Sequence, residues 1–419
     1  MTMMTMNFDV QEPFTQIDDQ DVKVLLLENI HADGVEFLRN KGYQVETRSA
    51  ALGEDELIEA IKGVHLLGIR STTYITEKVL ENAPDLLAIG AFCIGTNQID
   101  LAATKRHGVA VFNAPYSNTR SVVELAIAEI ISLARRLHEK STAMHNGIWN
   151  KSAAGSHEVR GRTLGIIGYG NIGSQLSVIA EALGLSVVFY DIDDKLALGN
   201  AKKCATIDEL LSVSDVVSLH VDGRPGNAGL FGDEQMKAMK PRSLFLNLSR
   251  GIAVDTTALR KHLESGHIAG AALDVFPVEP KAQGDPFESE LRGVPNVILT
   301  PHVGGSTEEA QQDIGRFVAS KLRAYAKAGT TNLSVTFPEL NLPSDPARHR
   351  LAHVHRNAPG VLAAINTILG DHGVNIEGQQ LATRGELGYV VTDVSAEVGP
   401  AVLKELASLP ETVRLRQLS

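Results

Sequence analysis

Cysteine is almost missing. Cys93 and Cys204 are the only two in 419 residues. They stand far apart in apolar surroundings, which excludes a disulfide framework and predicts two buried thiols in a reducing compartment. No Cys/His spacing suits a metal, so none is expected. Basic residues are outnumbered 39 to 50, and the net charge of −11 argues against nucleic acid or an anionic membrane as a partner of the whole chain. Long apolar runs are lacking too. None approaches the roughly 20 residues that cross a bilayer. Residues 1–20 hold no Lys or Arg and no apolar stretch of signal length, so they predict a loose tail and not a secretory leader. These absences describe a cytoplasmic protein. Its length predicts two to four domains.

What is present centres on Leu164-Gly165-Ile166-Ile167-Gly168-Tyr169-Gly170-Asn171-Ile172-Gly173. An apolar run meets glycines in the pattern G-x-G-x-x-G. Apolar residues then recur at helical spacing at Ile172, Leu176, Ile179 and Leu183, which predicts strand, tight turn, helix. Gly168 and Gly170 let the backbone turn and let a diphosphate come close. Gly173 lets the helix pack on the strand, and the helix N-terminus offers N–H groups to phosphate. A second apolar run, Ser186 to Tyr190, ends in Asp191. An acid there accepts from the ribose hydroxyls and repels a 2′-phosphate, which favours NAD over NADP. Ordinary strand–helix turns carry the bare glycine pattern as well. The flanking strand, the helical period and the acid raise it above that reading.

Strands and helices alternate on both sides of this motif. Val22–Leu27, Tyr43–Thr47, His65–Ile69, Leu86–Gly90 and Val109–Phe112 read as strands of a first parallel sheet. Arg70-Ser71-Thr72 follows one of them, where ligands bind in such sheets. A helical pattern from about Thr119 to Lys140 carries the chain onward. Beyond the glycine motif, Val216–Val221, Leu244–Leu248, Ala269–Val275 and Val297–Thr300 continue the strands. A helix after Ser306 is expected to pack back on the first domain. Residues 337–346 are proline-rich and polar and predict a linker. The remainder reads β-α-β-β-α-β, a ferredoxin-like module. The expected fold is therefore α/β, with two doubly wound Rossmann-like parallel-sheet domains and this small third one. The expected division is a tail over 1–20, a discontinuous domain over 21–117 and 305–338, a nucleotide domain over 118–304, a linker over 339–347 and a terminal module over 348–419.

Arg250, Glu279 and His302 each follow a strand of the second domain. Strand ends of one parallel sheet share an edge, so the three can meet. Histidine titrates near neutrality and can exchange a proton with an alcohol. A carboxylate beside it fixes its tautomer and raises its pKa. Arginine grips a 2-oxo-carboxylate bidentately. Taken singly, each residue has an ordinary role as cap, surface charge or ion-pair partner. The case rests on all three in order, downstream of a dinucleotide motif.

Three segments carry a resemblance: Asn247-Leu248-Ser249-Arg250-Gly251, Leu273-Asp274-Val275-Phe276-Pro277-Val278-Glu279-Pro280 and Leu299-Thr300-Pro301-His302-Val303-Gly304-Gly305-Ser306-Thr307. They are similar to the signatures of the D-isomer-specific 2-hydroxyacid dehydrogenases. Residues 92–97, residues 112–120 and the C-terminal module extend the resemblance to the phosphoglycerate-oxidising branch whose bacterial members end in an ACT domain. The resemblance implies NAD-dependent oxidation of 3-phosphoglycerate to 3-phosphohydroxypyruvate, the first step of serine synthesis, with a 2-oxoglutarate reductase side activity. It implies Arg250, Glu279 and His302 as catalytic. Gly168, Gly170, Asn171, Ile172, Gly173, Asp191, Leu248, Ser249, Arg250, Asp274, His302, Val303, Gly304 and Gly305 are implied at the cofactor, and Arg70, Ser71 and Asn118 at the substrate. Lys151 matches a basic residue that some members bring in from a neighbouring subunit. Thr72 departs from members that carry a second arginine there. In the last module His355, Asn357 and Asn375 match positions that bind serine, Asn375 from a partner chain, in a homotetramer joined through the ACT and nucleotide-binding domains. Two alternatives remain at this point. One is a dehydrogenase for another D-2-hydroxyacid, and the other is a non-enzymatic NAD-sensing regulator.

Overall fold

The structure, a computed structural model, describes residues 17–280, 284–343 and 349–418. The chain forms two compact units. One comprises residues 1–117 and 311–419, the other residues 118–310. Among the described residues no helix is long and apolar enough to cross a membrane.

The first unit begins with β1 (Lys23–Leu26), β2 (Gln44–Thr47), β3 (Leu66–Ile69), β4 (Ala88–Ala91) and β5 (Ala110–Phe112). They form a parallel sheet in the order β2-β1-β3-β4-β5. β3, β4 and β5 are buried at every position, as expected of strands covered on both faces. The helix Glu308–Ala328 enters this unit at Gln311 and sends Ile314, Val318, Leu322 and Tyr325 into the core beside Val24, Leu26 and Phe112.

Three expectations about this unit need correction. Residues 1–16 lie outside the described residues, but Ile17 already packs against the core and Gln20 accepts from the Gln44 side chain, so the loose tail does not extend to residue 20. Cys93 is only half-buried, with its thiol against the carbonyls of Arg70 and Gly95; Cys204 is buried. The proline-rich segment is not a solvated spacer over 337–343. Phe337 is fully buried, Leu340 and Leu342 nearly so, and Leu340 exchanges hydrogen bonds with Thr331. Residues 344–347 of the expected linker lie outside the described residues.

The second unit adds β6 (Thr163–Ile167), β7 (Ser186–Tyr190), β8 (Lys202–Lys203), β9 (Val216–Leu219), β10 (Ser243–Asn247), β11 (Ile268–Leu273) and β12 (Val297–Leu299). All pair in parallel in the order β12-β11-β10-β9-β6-β7-β8. The order reverses between β6 and β9, and the crevice outside the carboxyl ends opens at that switch point. The expected single helix from Thr119 to Lys140 is two, Thr119–Arg135 and Leu137–His145. Arg136 takes the left-handed conformation between them (φ 50°) and grips Glu139 through two hydrogen bonds of 2.5 and 2.8 Å.

The C-terminal module comprises β13 (His349–Arg356), β14 (Ile376–Arg384), β15 (Leu387–Val394) and β16 (Thr412–Leu418), antiparallel in the order β14-β15-β13-β16. Side chains alternate across this sheet. Leu351, Val390 and Leu415 meet the helices Val361–Asp371 and Pro400–Ala407 on one face. Ala352, Val354, Tyr389 and Val391 join the core of the first sheet on the other. Buried arginines reinforce the joint. Arg350 bonds the Ala328 carbonyl and pairs with Asp393, Arg414 donates to the Leu86 and Pro84 carbonyls, and Arg416 donates to those of Tyr325 and Ala326.

Candidate active site

β6 runs into the glycine turn, where two of the three glycines have a steric reason of their own. Gly168 holds φ at +93°, and a Cβ there would lie 2.5 Å from the His220 carbonyl. A Cβ on Gly173 would lie 2.3 Å from the Gly168 carbonyl, so only glycine lets helix and strand approach. A Cβ on Gly170 would meet nothing within 4 Å, so it faces open space at the helix N-terminus. The helix Asn171–Ala182 that starts there has no side-chain cap. Its first N–H groups are left for an anion. Such a cradle suits the diphosphate of a dinucleotide.

Asp191 follows β7. Its Oδ2 accepts the Tyr169 N–H at 2.7 Å and its Oδ1 the Asp193 N–H at 2.9 Å. The carboxylate therefore braces the glycine turn and keeps one lone pair on each oxygen for a ribose. Tyr169 is buried and stacks on Phe189, with its hydroxyl against Ser177.

The loops after β10, β11 and β12 carry the other groups. Asn247, fully buried at the end of β10, accepts from the Ser249 N–H and hydroxyl and donates to the Arg250 carbonyl. This side-chain turn lifts Ser249-Arg250 out of the sheet. The next residue, Gly251, abuts the loop that bears Glu279. A Cβ on it would come within 1.9 Å of the Phe276 carbonyl. Glu279 is steered by the Phe276 N–H on Oε1 and meets His302 Nδ1 at 2.8 Å through Oε2. His302 itself sits at φ 54°, a left-handed conformation that side chains rarely adopt. Asp274 maintains that turn. It is buried, and its carboxylate takes the Thr300 hydroxyl at 2.6 Å and the Val303 and Gly304 N–H groups at 2.8 Å each. Asp274 thus supports the turn from behind.

The electrostatics follow the geometry. The hydrogen bond to Glu279 raises the His302 pKa above the ordinary histidine value against the opposing effect of burial. Burial pushes Glu279 upward, but the hydrogen bond and charge of His302, with the Phe276 N–H and Arg250, outweigh it and hold the carboxyl below its usual value. Arg250 is therefore close enough for its charge to reach both partners.

Other expected residues are distributed as follows. Asn118 packs its amide against Gly305, where a Cβ would be 2.4 Å away. Arg70 and Ser71 follow β3 in the first unit, and the Arg70 carbonyl accepts from Gln98 at 2.5 Å. Lys151 is exposed, downstream of the exposed Met144, Ile148 and Trp149. His355 is buried with its ring over Gly388. Asn357 bonds the Gly385 carbonyl. Asn375 lies elsewhere: Arg356 pairs with Leu387 at one end of β15, and Ile376 with Val394 at the other. At about 3.4 Å per residue, the two asparagines of one chain are more than 20 Å apart and do not meet. Asn247, Thr300 and Gln98 were not distinguished as positioning groups by the sequence. The only signal was that Asn247 and Thr300 sit inside strand-end segments. No group of three or more His, Cys, Asp or Glu that could hold a metal occurs among the described residues.

An open glycine cradle, an acid after the next strand and an imidazole–carboxylate pair within the field of a guanidinium define an NAD-dependent oxidoreductase. Residues 127–304 match the family described as D-isomer specific 2-hydroxyacid dehydrogenase, NAD binding domain, and residues 351–414 match an AHAS small subunit-like ACT domain. D-3-phosphoglycerate dehydrogenase of Dictyostelium discoideum is 50% identical over 97% of this chain and 100% of its own. That of Escherichia coli K12 is 49% identical over 96% and 98%. Among solved structures, D-lactate dehydrogenase of Aquifex aeolicus in complex with NAD and lactic acid matches with a TM-score of 0.65 and 27% identity, covering 75% of this chain and all of that one. D-2-hydroxyisocaproate dehydrogenase matches at 0.69 and 25%, with the same coverage. The chain belongs to the D-3-phosphoglycerate dehydrogenases, within the D-isomer-specific 2-hydroxyacid dehydrogenase family.

Proposed function

We propose that this enzyme oxidises 3-phospho-D-glycerate to 3-phosphohydroxypyruvate with NAD, as the first step of L-serine synthesis in the cytoplasm. The observation that carries the reading is the 2.8 Å pair of His302 and Glu279 at the strand ends of a sheet with an open glycine turn. Relatives named for this substrate over nearly the whole chain support the choice of hydroxyacid.

Glu279 engages Nδ1 of His302, which fixes the tautomer with the Nδ1 proton directed to the carboxylate. Nε2 is then the nitrogen for substrate, and it takes the proton of the C2 hydroxyl as the C2 hydrogen departs with its electron pair. Bound NAD supplies the acceptor for that hydride. The imidazolium so formed is stabilised by Glu279, and in the reverse direction it returns the proton to the carbonyl oxygen. Arg250 grips the carboxylate and polarises the C2 oxygen. Gly168, Gly170, Asn171, Ile172 and Gly173 hold the diphosphate, Asp191 the ribose, and Leu248, Ser249, Val303, Gly304 and Gly305, with Asp274 behind them, the nicotinamide end. Arg70, Ser71 and Asn118 take the far anionic group. With Thr72 in place of a second arginine, phosphate binding leans on other basic groups. 2-Oxoglutarate, also a dianion, is a second substrate in the reductive direction.

The ACT module is the effector site for L-serine, bound by His355 and Asn357 of one copy with the partner subunit's Asn375. The distance between Asn357 and Asn375 within one chain favours such a shared site. Edge pairing through β14 and contact through the exposed Leu137, Met144, Ile148 and Trp149 of the nucleotide-binding unit would build a homotetramer. A steady-state assay of NADH oxidation with phosphohydroxypyruvate, 2-oxoglutarate and pyruvate, with and without serine, tests the whole reading. The expected order is phosphohydroxypyruvate first, 2-oxoglutarate second and pyruvate negligible, with serine slowing the first two. Preference for pyruvate would reassign the substrate, turnover of none would leave a binding protein, and indifference to serine would remove the effector.

A further inference from the structure

The loop that carries Arg70 and Ser71 is built around another residue's carboxylate. Glu28 follows β1, the sheet neighbour of β3. Its Oε1 accepts the N–H groups of Arg70 at 3.1 Å and Thr73 at 2.9 Å, and its Oε2 accepts that of Thr72 at 2.9 Å. Three converging backbone N–H groups form an anion cradle of the kind that elsewhere binds a ligand. Here the chain fills the cradle itself. Glu28 and Asn29 both adopt left-handed backbone (φ 62° and 54°) at this bend. Two such residues in succession are costly and persist only where the surroundings impose them. The opposite side of the Arg70 peptide is held as well, by Gln98 on its carbonyl. Gln98 is itself buried and also bonds the Gly95 carbonyl.

We infer that Glu28 is a positioning residue for substrate. It fixes the backbone of residues 70–73 so that the Arg70 and Ser71 side chains face the far anionic group of the hydroxyacid in one arrangement. The inference rests on the assignment of Arg70 to the substrate. It also has a consequence for recognition. With the N–H groups of residues 70, 72 and 73 engaged by Glu28, those three are not offered to the substrate anion, which leaves the side chains of Arg70 and Ser71 and the Ser71 N–H to meet it. Charge-assisted bonds to three N–H groups are strong enough to hold a loop that would otherwise sample many conformations.

The test uses the full-length enzyme with phosphohydroxypyruvate and NADH. Glu28→Ala is expected to raise KM for the phosphorylated substrate about tenfold or more, with kcat changed far less and the Kd for NADH unchanged. Because the variant leaves an empty cradle for a carboxylate, added formate or acetate is expected to restore part of the lost KM in a saturable way. Neither salt should act on the parent enzyme in that way. Glu28→Asp, one methylene shorter, is expected to raise KM less and serves if the alanine variant does not fold. Arg70→Ala is the parallel arm. If it leaves KM unchanged, the assignment of Arg70 to substrate fails. If Arg70→Ala raises KM while the Glu28 variants do not, or if they weaken NADH binding equally, the role given to Glu28 is overturned.

Discussion

Replacing Glu129 with glutamine should stabilise the protein more as the pH rises. Glu129 lies on the buried face of the helix Thr119–Arg135, in line with Val122, Ala126 and Leu133. It is 3% exposed, and neither carboxylate oxygen has a hydrogen-bond partner among the described residues. Helical side chains lean toward the N-terminus. That direction leads toward Val122, which lies beside Gly304 and the Asp274 carboxylate. Burial, reinforced by the negative charge of Asp274, pushes Glu129 from the ordinary glutamate value of 4.5 to about 8. The native state therefore keeps a proton that the unfolded chain releases above pH 4.5. The stabilisation is complete below that pH and is lost as the pH climbs to about 8. At about 1.4 kcal/mol per pH unit, the interval amounts to about 5 kcal/mol as an upper bound, because local relaxation softens it. Glutamine has nearly the same shape and no proton to lose. Urea unfolding of the parent and Glu129→Gln at pH 5, 6, 7, 8 and about 9 should show a stability difference that grows with pH in favour of the variant and levels off above about pH 8. Parallel profiles across that range would refute the reasoning.

Other outcomes follow from the same contacts. His302→Gln should lower kcat by about 10² to 10⁴ with little change in the Kd for NADH, read by fluorescence titration. Glu279→Gln removes the group that raises the His302 pKa. The acid limb of the alcohol-oxidation profile, where neutral His302 is required, should therefore shift to lower pH as the rate falls, and an unshifted limb would count against the pairing. Gly170→Ala should weaken NAD binding while leaving Tm nearly unchanged, because its Cβ enters open space. Gly173→Ala should lower Tm, because its Cβ collides with the Gly168 carbonyl, and differential scanning calorimetry separates the two. Arg414→Leu leaves the buried Leu86 carbonyl without this donor at about 1–3 kcal/mol, while the exposed Pro84 carbonyl can turn to water. On the proposed reading that serine binds the module and slows turnover, the substitution should reduce the maximal inhibition more than it reduces serine binding, and unchanged inhibition would show that this joint carries no signal.

The parts legible in the sequence are those where chemistry forces an unusual residue. Of the three glycines in the turn, Gly168 and Gly173 have separate steric causes and Gly170 faces open space where a ligand would approach, and all three show as glycine. The βαβ rhythm is legible because β3, β4 and β5 are buried on both faces and so read as continuous apolar runs. His302, Glu279 and Arg250 were legible as a set by their order after strands, although the left-handed backbone of His302 leaves no mark in composition. Arg136 was missed because arginine is a good helix former and neither Gly nor Pro announces the break. Residues 337–343 were misread because prolines suggest a spacer, whereas Phe337, Leu340 and Leu342 reach the core between them. Asn247 and Glu28 were invisible for a more general reason. Each acts on backbone N–H and carbonyl groups, which every residue has, and Glu28 acts 42 positions away in the chain. Glu129 stood in plain sight as an acid on an apolar stripe.

The joint between the ACT module and the first sheet limits how an effector could act. Arg414 grips the carbonyls of residues 84 and 86, just before β4, while the Arg70 loop leaves the carboxyl end of β3 beside it. The ACT module's Arg414 and the Arg70 loop thus lie at opposite ends of β3 and β4, two neighbouring strands of four residues each that are buried throughout. Buried strands of this kind transmit strain along their length, because close-packed cores have low compressibility. Tyr325, Phe337 and Tyr389 pack their rings in succession through the joint, and the Tyr389 hydroxyl is tied to the Gly329 carbonyl. On the proposed reading, an event in the module would reach the Arg70 loop through the packed core around β3 and β4. On this argument substitutions inside the joint change how much of the effector's energy arrives, and Glu28, at the far end, determines whether the displaced loop still presents Arg70 in one arrangement.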